Sequence, residues 1–216
     1  MTAGHCSPNW GFVDNSWITQ PWLNTPLSIG YEIHDDSWAC AGGRCDHAEL
    51  GLYNTNFIDF DSGLGELPYE LGLVWRLETR VSGPTGIGSP YVNQTFPRLT
   101  VTGIQSYTVM SQLVDKVGRN SGWTFGSTYQ TCVTFQMTPT YKVHCSDYVS
   151  FTSIGGDSGG PVFIHYPNIP PNEGGNGISF LGINVASHQT TSGVQIGGVI
   201  SNSTQIRNEI GFFRFW

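Results

Sequence analysis

The sequence predicts an all-β protein rich in turns. Three observations carry that reading: 28 of the 216 residues are glycine, only 12% are charged while 13% are aromatic, and no stretch shows the periodicity of a long amphipathic helix. A chain of this length can bury a substantial core as one large domain or two small barrels. The net charge of −7, with nine Lys and Arg in all, argues against a nucleic-acid partner, which calls for a basic stripe. No apolar run reaches the roughly 18 residues of a membrane span, and no charged segment followed by an apolar one opens the chain as a secretion signal would.

In chain order, short apolar segments bounded by turn residues read as strands: 48–53 (AELGLY), 72–81 (GLVWRLETRV), 98–104 (RLTVTGI), 107–118 (YTVMSQLVDKVG), 131–137 (TCVTFQM), 141–145 (YKVHC), 160–166 (GPVFIHY), 178–186 (ISFLGINVA) and 194–200 (VQIGGVI). Gly and Pro crowd the stretch from Ser82 to Pro97, which reads as the connection between an N-terminal unit, 1–95, and a C-terminal unit, 96–216. Tyr166–Gly177 reads as a surface loop by the same signal. At the end of the chain Ser203 is placed to cap a short helix, with Ile206 and Ile210 four apart and Gly211 as its stop.

Five cysteines allow two bridges and leave one over, a pattern that fits an oxidising compartment. Cys40 and Cys45 can close a small loop, and Cys132 and Cys145 flank two strands joined through Thr138-Pro139-Thr140, while Cys6 has no evident partner. No paired CxxC and no HExxH spacing points to zinc, and no cofactor motif is present, so no metal and no cofactor is expected. Asp59–Glu66 lacks calcium-loop spacing and reads as a solvated turn, and Asn93 and Asn202 each open a glycosylation sequon.

The stretch Ser153–Phe163, SIGGDSGGPVF, asks most of its backbone. Four glycines around one serine lose a large conformational entropy on folding, so the main chain itself must serve a purpose there. A tight turn that presents the Ser158 hydroxyl, with the amides of Gly156 and Ser158 converging, would make an oxyanion hole. A serine hydroxyl is a weak nucleophile at neutral pH and needs a base, which histidine suits, and the imidazole needs a carboxylate to fix its tautomer. His5, in a run of small residues, and Asp46, where a strand-like segment begins, supply those groups. The pattern Gly156-x-Ser158-x-Gly160 also fits the nucleophile elbow of α/β-hydrolases, but no Asp follows Ser158, and Gly160-Pro161 would interrupt the helix that must follow an elbow.

The blocks TAGHC (2–6), CDHAELGLY (45–53) and GGDSGGPVF (155–163), in this order, together with VDKVGRNSGWTFG (114–126), resemble the chymotrypsin/trypsin-like serine peptidases, in particular bacterial and fungal members. The resemblance implies two six-stranded antiparallel Greek-key barrels with the active site between them and a short C-terminal helix. The first barrel would carry His5 and Asp46, and the second Ser158, the oxyanion hole of Gly156 and Ser158, and the specificity pocket. It implies a serine endopeptidase working through an acyl-enzyme intermediate, with polypeptide substrates, protein inhibitors as further partners, a secreted location and a monomeric state. Thr152 and Ser153 would line the base of the substrate pocket and Val185, Ala186 and Ser187 its edge. Because Thr152 is not an acid, Arg and Lys side chains would meet no counter-charge, and with His188 just beyond, the pocket reads as neutral and polar, suited to an acidic or small apolar side chain. Relatives carry strands ahead of the first block and a cysteine that pairs with the one after the histidine. The chain begins directly at that block, so the first barrel is expected to be incomplete, the start truncated or misassigned, and the alternative function is that of an inactive fragment or non-catalytic binding relative.

Overall fold

The computed structural model describes residues 17–22, 25–34, 38–40, 43–46, 52–54, 73–96, 98–166 and 177–210. The N-terminal strands are β1 (Trp17–Trp22), β2 (Thr25–His34), β3 (Trp38–Cys40), β4 (Gly43–Asp46), β5 (Leu52–Asn54), β6 (Leu73–Trp75) and β7 (Arg80–Ser82). They are followed by β8 (Arg98–Ile104), β9 (Leu113–Gly118), β10 (Gly122–Thr138), β11 (Tyr141–Val149), β12 (Pro161–Tyr166), β13 (Gly177–Gln189), β14 (Gln195–Asn202) and the helix α1 (Ser203–Ile210).

The last six strands close on themselves. Antiparallel pairing runs β9 to β10, β10 to β11, β11 to β14, β14 to β13, β13 to β12 and β12 back to β9, a Greek-key barrel with no free edge in the ring. The long strand β10 bends to make this closure, with breaks of register against β11 on either side of Val133. Cys132 and Cys145 form a disulfide across this bent pair, both at positive φ (53° and 57°). Thr138 pairs with Tyr141 across the Pro139-Thr140 turn, as the sequence predicts.

Earlier strands attach to the outside of this ring. β7 pairs in parallel with β10, β8 in parallel with β13, β6 antiparallel with β8, and β4 of the β3–β4 hairpin in parallel with β11. Of the expected first barrel, the described residues give a three-stranded antiparallel sheet in the order β1-β2-β5.

The stretch expected to connect the two halves packs against the barrel. Leu77 bridges Val92, the Gly88 amide donates to the Ser121 carbonyl (2.8 Å), and Gly88 is buried so tightly that a Cβ there would stand 3.0 Å from the Trp123 carbonyl oxygen. Arg80 secures the same segment with a two-pronged contact to the buried Asp115 (2.5 and 2.9 Å), which also accepts from the Trp123 indole (2.8 Å). Two apolar clusters fill the interior. One gathers Leu99, Val101, Phe163, Ile178, Val185 and, from α1, Ile206; the other gathers Val114, Phe151, Val162, Leu181 and Ile200.

Two local expectations change. Asn202, not Ser203, caps α1: its Oδ1 accepts from the Gln205 amide (3.1 Å), while the Ser203 hydroxyl donates to the Gln105 carbonyl (2.6 Å). The Asn202 amide also donates to Asp147 (2.8 Å), and the residue is 2% exposed, so this sequon cannot accept a glycan in the folded protein. Among the described residues, no helix is long and apolar enough to cross a membrane.

Candidate active site

Ser158 lies in the turn between β11 and β12, held from several directions. The Asp157 amide donates to the Ile154 carbonyl (3.0 Å) and the Gly160 amide to the Asp157 carbonyl (3.0 Å), so two tight turns flank the serine. Strand β13 clasps the turn from one side: the Gly159 amide donates to the Asn184 carbonyl (2.8 Å), and the Asn184 amide to the Gly160 carbonyl (2.9 Å). The Ser158 hydroxyl donates to the Val185 carbonyl at 3.4 Å. Gly156 and Gly159 have φ of 90° and 80°, the left-handed region where glycine is at ease and other residues are strained.

Beneath the turn lies a buried ion pair. Asp157 Oδ2 stands 3.0 Å from Lys116 Nζ, and both side chains are fully excluded from solvent. Its Oδ1 accepts from the amides of Asn120 (2.9 Å) and Ser121 (3.0 Å), its Oδ2 from the Ile154 amide (3.1 Å), and Lys116 donates also to the Ser121 hydroxyl (2.7 Å). Burial alone would raise the Asp157 carboxyl, but the Lys116 charge and the hydrogen bonds from Ser121 and Ile154 outweigh it and hold the group below the usual carboxylate range. Nothing in the local sequence marks Lys116 as its partner, since the two residues lie 41 positions apart.

Asn120 fixes a second part of the turn. Its side-chain amide donates to the Gly155 carbonyl (2.7 Å) and packs over Gly156. In a trans peptide the C=O and the following N–H point opposite ways, so anchoring the Gly155 oxygen on Asn120 aims the Gly156 N–H to the other side.

The expected pocket residues adjoin this turn. Ser153 donates to the Ala186 carbonyl (3.1 Å), and Gln195 donates to the Ser153 carbonyl (2.7 Å), tying the loop to β13 and β14. Thr152 is buried, and its hydroxyl donates to Gly83 (2.9 Å). A cleft of about 610 Å³ runs along the other flank, between the 77–92 segment and the serine, with Leu77, Val92, Val117, Gly156 and Gly160 in its walls. His5 and Cys6 lie outside the described residues. Asp46 ends β4, opposite Val143 of β11, and its side chain is outside the described set, as is that of Cys45. Cys40 is disulfide-bonded.

His188, beyond Ser187 on β13, meets the Tyr129 hydroxyl through Nδ1 (2.5 Å) and packs its ring against Tyr148 (4.3 Å between centroids). Burial lowers its pKa, while burial first and then the Tyr148 neighbour push the Tyr129 phenol up to about 12. The sign of the consequence is fixed. A histidine depressed below its unfolded value of 6.5 contributes stability that is full above that pH and is lost as pH falls through the folded value. Thermal midpoints measured from about pH 7 down to about pH 5 should therefore fall, and fall less in His188→Gln.

No family model matches the sequence, and no curated protein does. Solved structures do. A glutamic acid specific serine protease described as using a histidine triad in substrate binding superposes with a TM-score of 0.58 at 16% identity, covering 100% of this chain and 84% of that one. Protease A of Thermobifida fusca gives 0.55 at 18% identity over 99% and 82% of the two chains, and Nocardiopsis protease 0.50 at 18% over 96% and 79%. The fold is that of the chymotrypsin-like serine proteases. Ser158 stands on the turn that leads from β11 into β12 of the closed ring β9–β14.

Proposed function

We propose that the protein is a serine endopeptidase of the chymotrypsin-like fold. Ser158 attacks the scissile carbonyl, His5 takes its proton and returns it to the leaving amine, Asp46 holds the imidazole, and the amides of Gly156 and Ser158 stabilise the oxyanion. The Ser158 oxygen then carries the acyl group until water, activated by the same histidine, releases it. The observation that carries this reading is the turn itself: a serine hydroxyl at the surface of two tight turns, braced from below by the Lys116–Asp157 pair and clasped by β13, on a barrel similar to known serine proteases. Thr152, with its hydroxyl engaged by Gly83, offers no charge to an Arg or Lys side chain, so the substrates are polypeptides cleaved after other residues, with Ser153 and Val185–Ser187 along the pocket. The Cys132–Cys145 bridge fits a secreted, oxidising setting, and the protein acts as a monomer on polypeptide substrates and is open to protein inhibitors.

One observation favours a second reading, a non-catalytic relative. The pairing of Asp46 with Val143 sets it six residues along β11 from Val149, about 20 Å of strand away from where β11 feeds the Ser158 loop. A fluorophosphonate probe separates the two, since it reacts only with a serine activated by an aligned base. Labelling that peptide mapping assigns to Ser158, and that disappears in Ser158→Ala, is the expected result. Folded protein that stays unlabelled would establish the second reading.

A further inference from the structure

Asn184 is fully buried, and neither its Oδ1 nor its Nδ2 has a hydrogen-bond partner. An unpaired carboxamide in a protein interior is costly, so such a side chain calls for a group that completes it. Its position is informative, because its own backbone clasps Gly159 and Gly160, and the next carbonyl, that of Val185, accepts from Ser158.

The local register directs the side chain. Asn184 pairs with Ile200 and Ser187 with Gly198, with a bulge at Val185 between Asn184 and Ala186. Residues 184 and 187 would lie on opposite faces of a regular strand, but the bulge brings both to the face shared by Gly198 and Ile200. The order along that face is half-buried Ser187, then the bare backbone of Gly198, then Asn184 at the bottom. A Cβ on Gly198 would stand 3.0 Å from Asn184 Oδ1 and 3.0 Å from Cδ2 of Phe151, so Gly198 leaves a gap that the Phe151 ring fills and the carboxamide floors. Phe151 leads directly into Thr152 and Ser153, the expected pocket segment.

We propose that Asn184 reads the substrate side chain preceding the cleaved bond and that this side chain is glutamine, an inference that rests on the serine-peptidase reading. A carboxamide donates and accepts at once, so a second carboxamide satisfies both Oδ1 and Nδ2. A carboxylate has no donor for Oδ1, a hydrocarbon leaves both atoms unpaired, and a cation meets only Oδ1, since it has no acceptor for Nδ2. Glutamine has the length to pass Gly198, and its entry turns the Phe151 ring aside. Glutamine thus replaces the acidic or small apolar residue that the sequence pointed to.

The test is a set of peptides identical except for Gln, Glu, Met or Arg before the cut, read as kcat/KM on the wild type and Asn184→Val. The same residues at the C-terminus of product-like peptides are titrated into Ser158→Ala protein, so that recognition is read without catalysis. Gln should exceed Met by roughly 10²-fold, and in Asn184→Val, and in Asn184→Val/Ser158→Ala for binding, that ratio should fall close to one. The valine variant should melt no lower than wild type, since it removes an unpaired amide. Met or Glu matching Gln, or a Gln-to-Met ratio unmoved by Asn184→Val, overturns the assignment. Fluorophosphonate labelling of the same wild-type preparation keeps the two readings apart. Labelling with a flat profile removes the role of Asn184 alone, and Gln-selective binding without labelling removes catalysis alone.

Discussion

Lys116→Met should destabilise the protein by about 3–5 kcal/mol, the cost of leaving one member of a buried ion pair unpaired. Methionine fills most of the space of the lysine stem, so the loss reads the charge and not a cavity. In the wild type, Asp157 is fully buried against Lys116, with Asn120, Ser121 and Ile154 donating backbone N–H groups to it. Removing the ammonium leaves a buried carboxylate with backbone N–H donors but without the counter-charge of Lys116. The pH dependence follows with a definite sign. A carboxyl held below its unfolded value of 3.8 contributes stability that is present above that pH and is lost as pH falls through the folded value. Without Lys116 the burial that opposes ionisation is no longer outweighed, the carboxyl rises, and acid unfolding should begin at a higher pH. Denaturant unfolding of both proteins across the acid range checks each part. An equal midpoint in Lys116→Met at neutral pH would show that the pair contributes nothing to holding the turn.

The same pair marks the boundary of what could be read from the residues alone. Strand β8 was legible to the residue, because RLTVTGI alternates cleanly between turn signals, and β12 and the Pro139-Thr140 turn were nearly so. The glycine pattern around Ser158 announced its turn because left-handed backbone at Gly156 and Gly159 restricts the residue type locally. Lys116 was hidden for the opposite reason. A single cation in VDKVG reads as a solvated residue of an ordinary strand, and only the barrel brings it to a carboxylate 41 positions on. Asn184 reads within ISFLGINVA as one polar residue in an apolar run, since its orphaned amide exists only once β14 and Phe151 close around it. Asn202 and Ser203 are both good capping residue types, and the Gln105 carbonyl, which engages the serine hydroxyl, leaves the cap to Asn202. β1 and β2 have no counterpart among the strands the sequence predicts, because Trp17–Trp22 and Thr25–His34 contain Pro21 and Pro26, residues that normally signal turns.

On the proposed serine-peptidase reading, Gly156→Ala should lower kcat by about 10²–10³-fold while leaving KM within a few-fold, the loss expected when one proposed oxyanion donor is removed. Two independent constraints require glycine there. The backbone sits at φ 90°, which an L side chain rarely adopts, and a Cβ would stand 2.5 Å from the Asn120 side-chain nitrogen. The strain is relieved either by turning the Gly155–Gly156 peptide over or by expelling Asn120, and both release the Gly155 carbonyl from its 2.7 Å hydrogen bond. Once that oxygen is free to rotate toward the catalytic side, the Gly156 N–H rotates away from it, because the two are fixed on opposite edges of one planar unit. Ground-state binding, which depends on β13 and the pocket walls, is left largely intact, so the effect belongs to kcat. Asn120→Ala provides the second measurement: it keeps glycine at 156 and removes only the anchor, so kcat should fall by a smaller factor, about tenfold, with the same unchanged KM. Gly156→Ala in the Asn120→Ala background should then cost less than in the wild type, since part of the same orientation has already been lost. If the two effects multiplied independently, or if either appeared mainly in KM, the amide of Gly156 would not be the group that meets the developing charge.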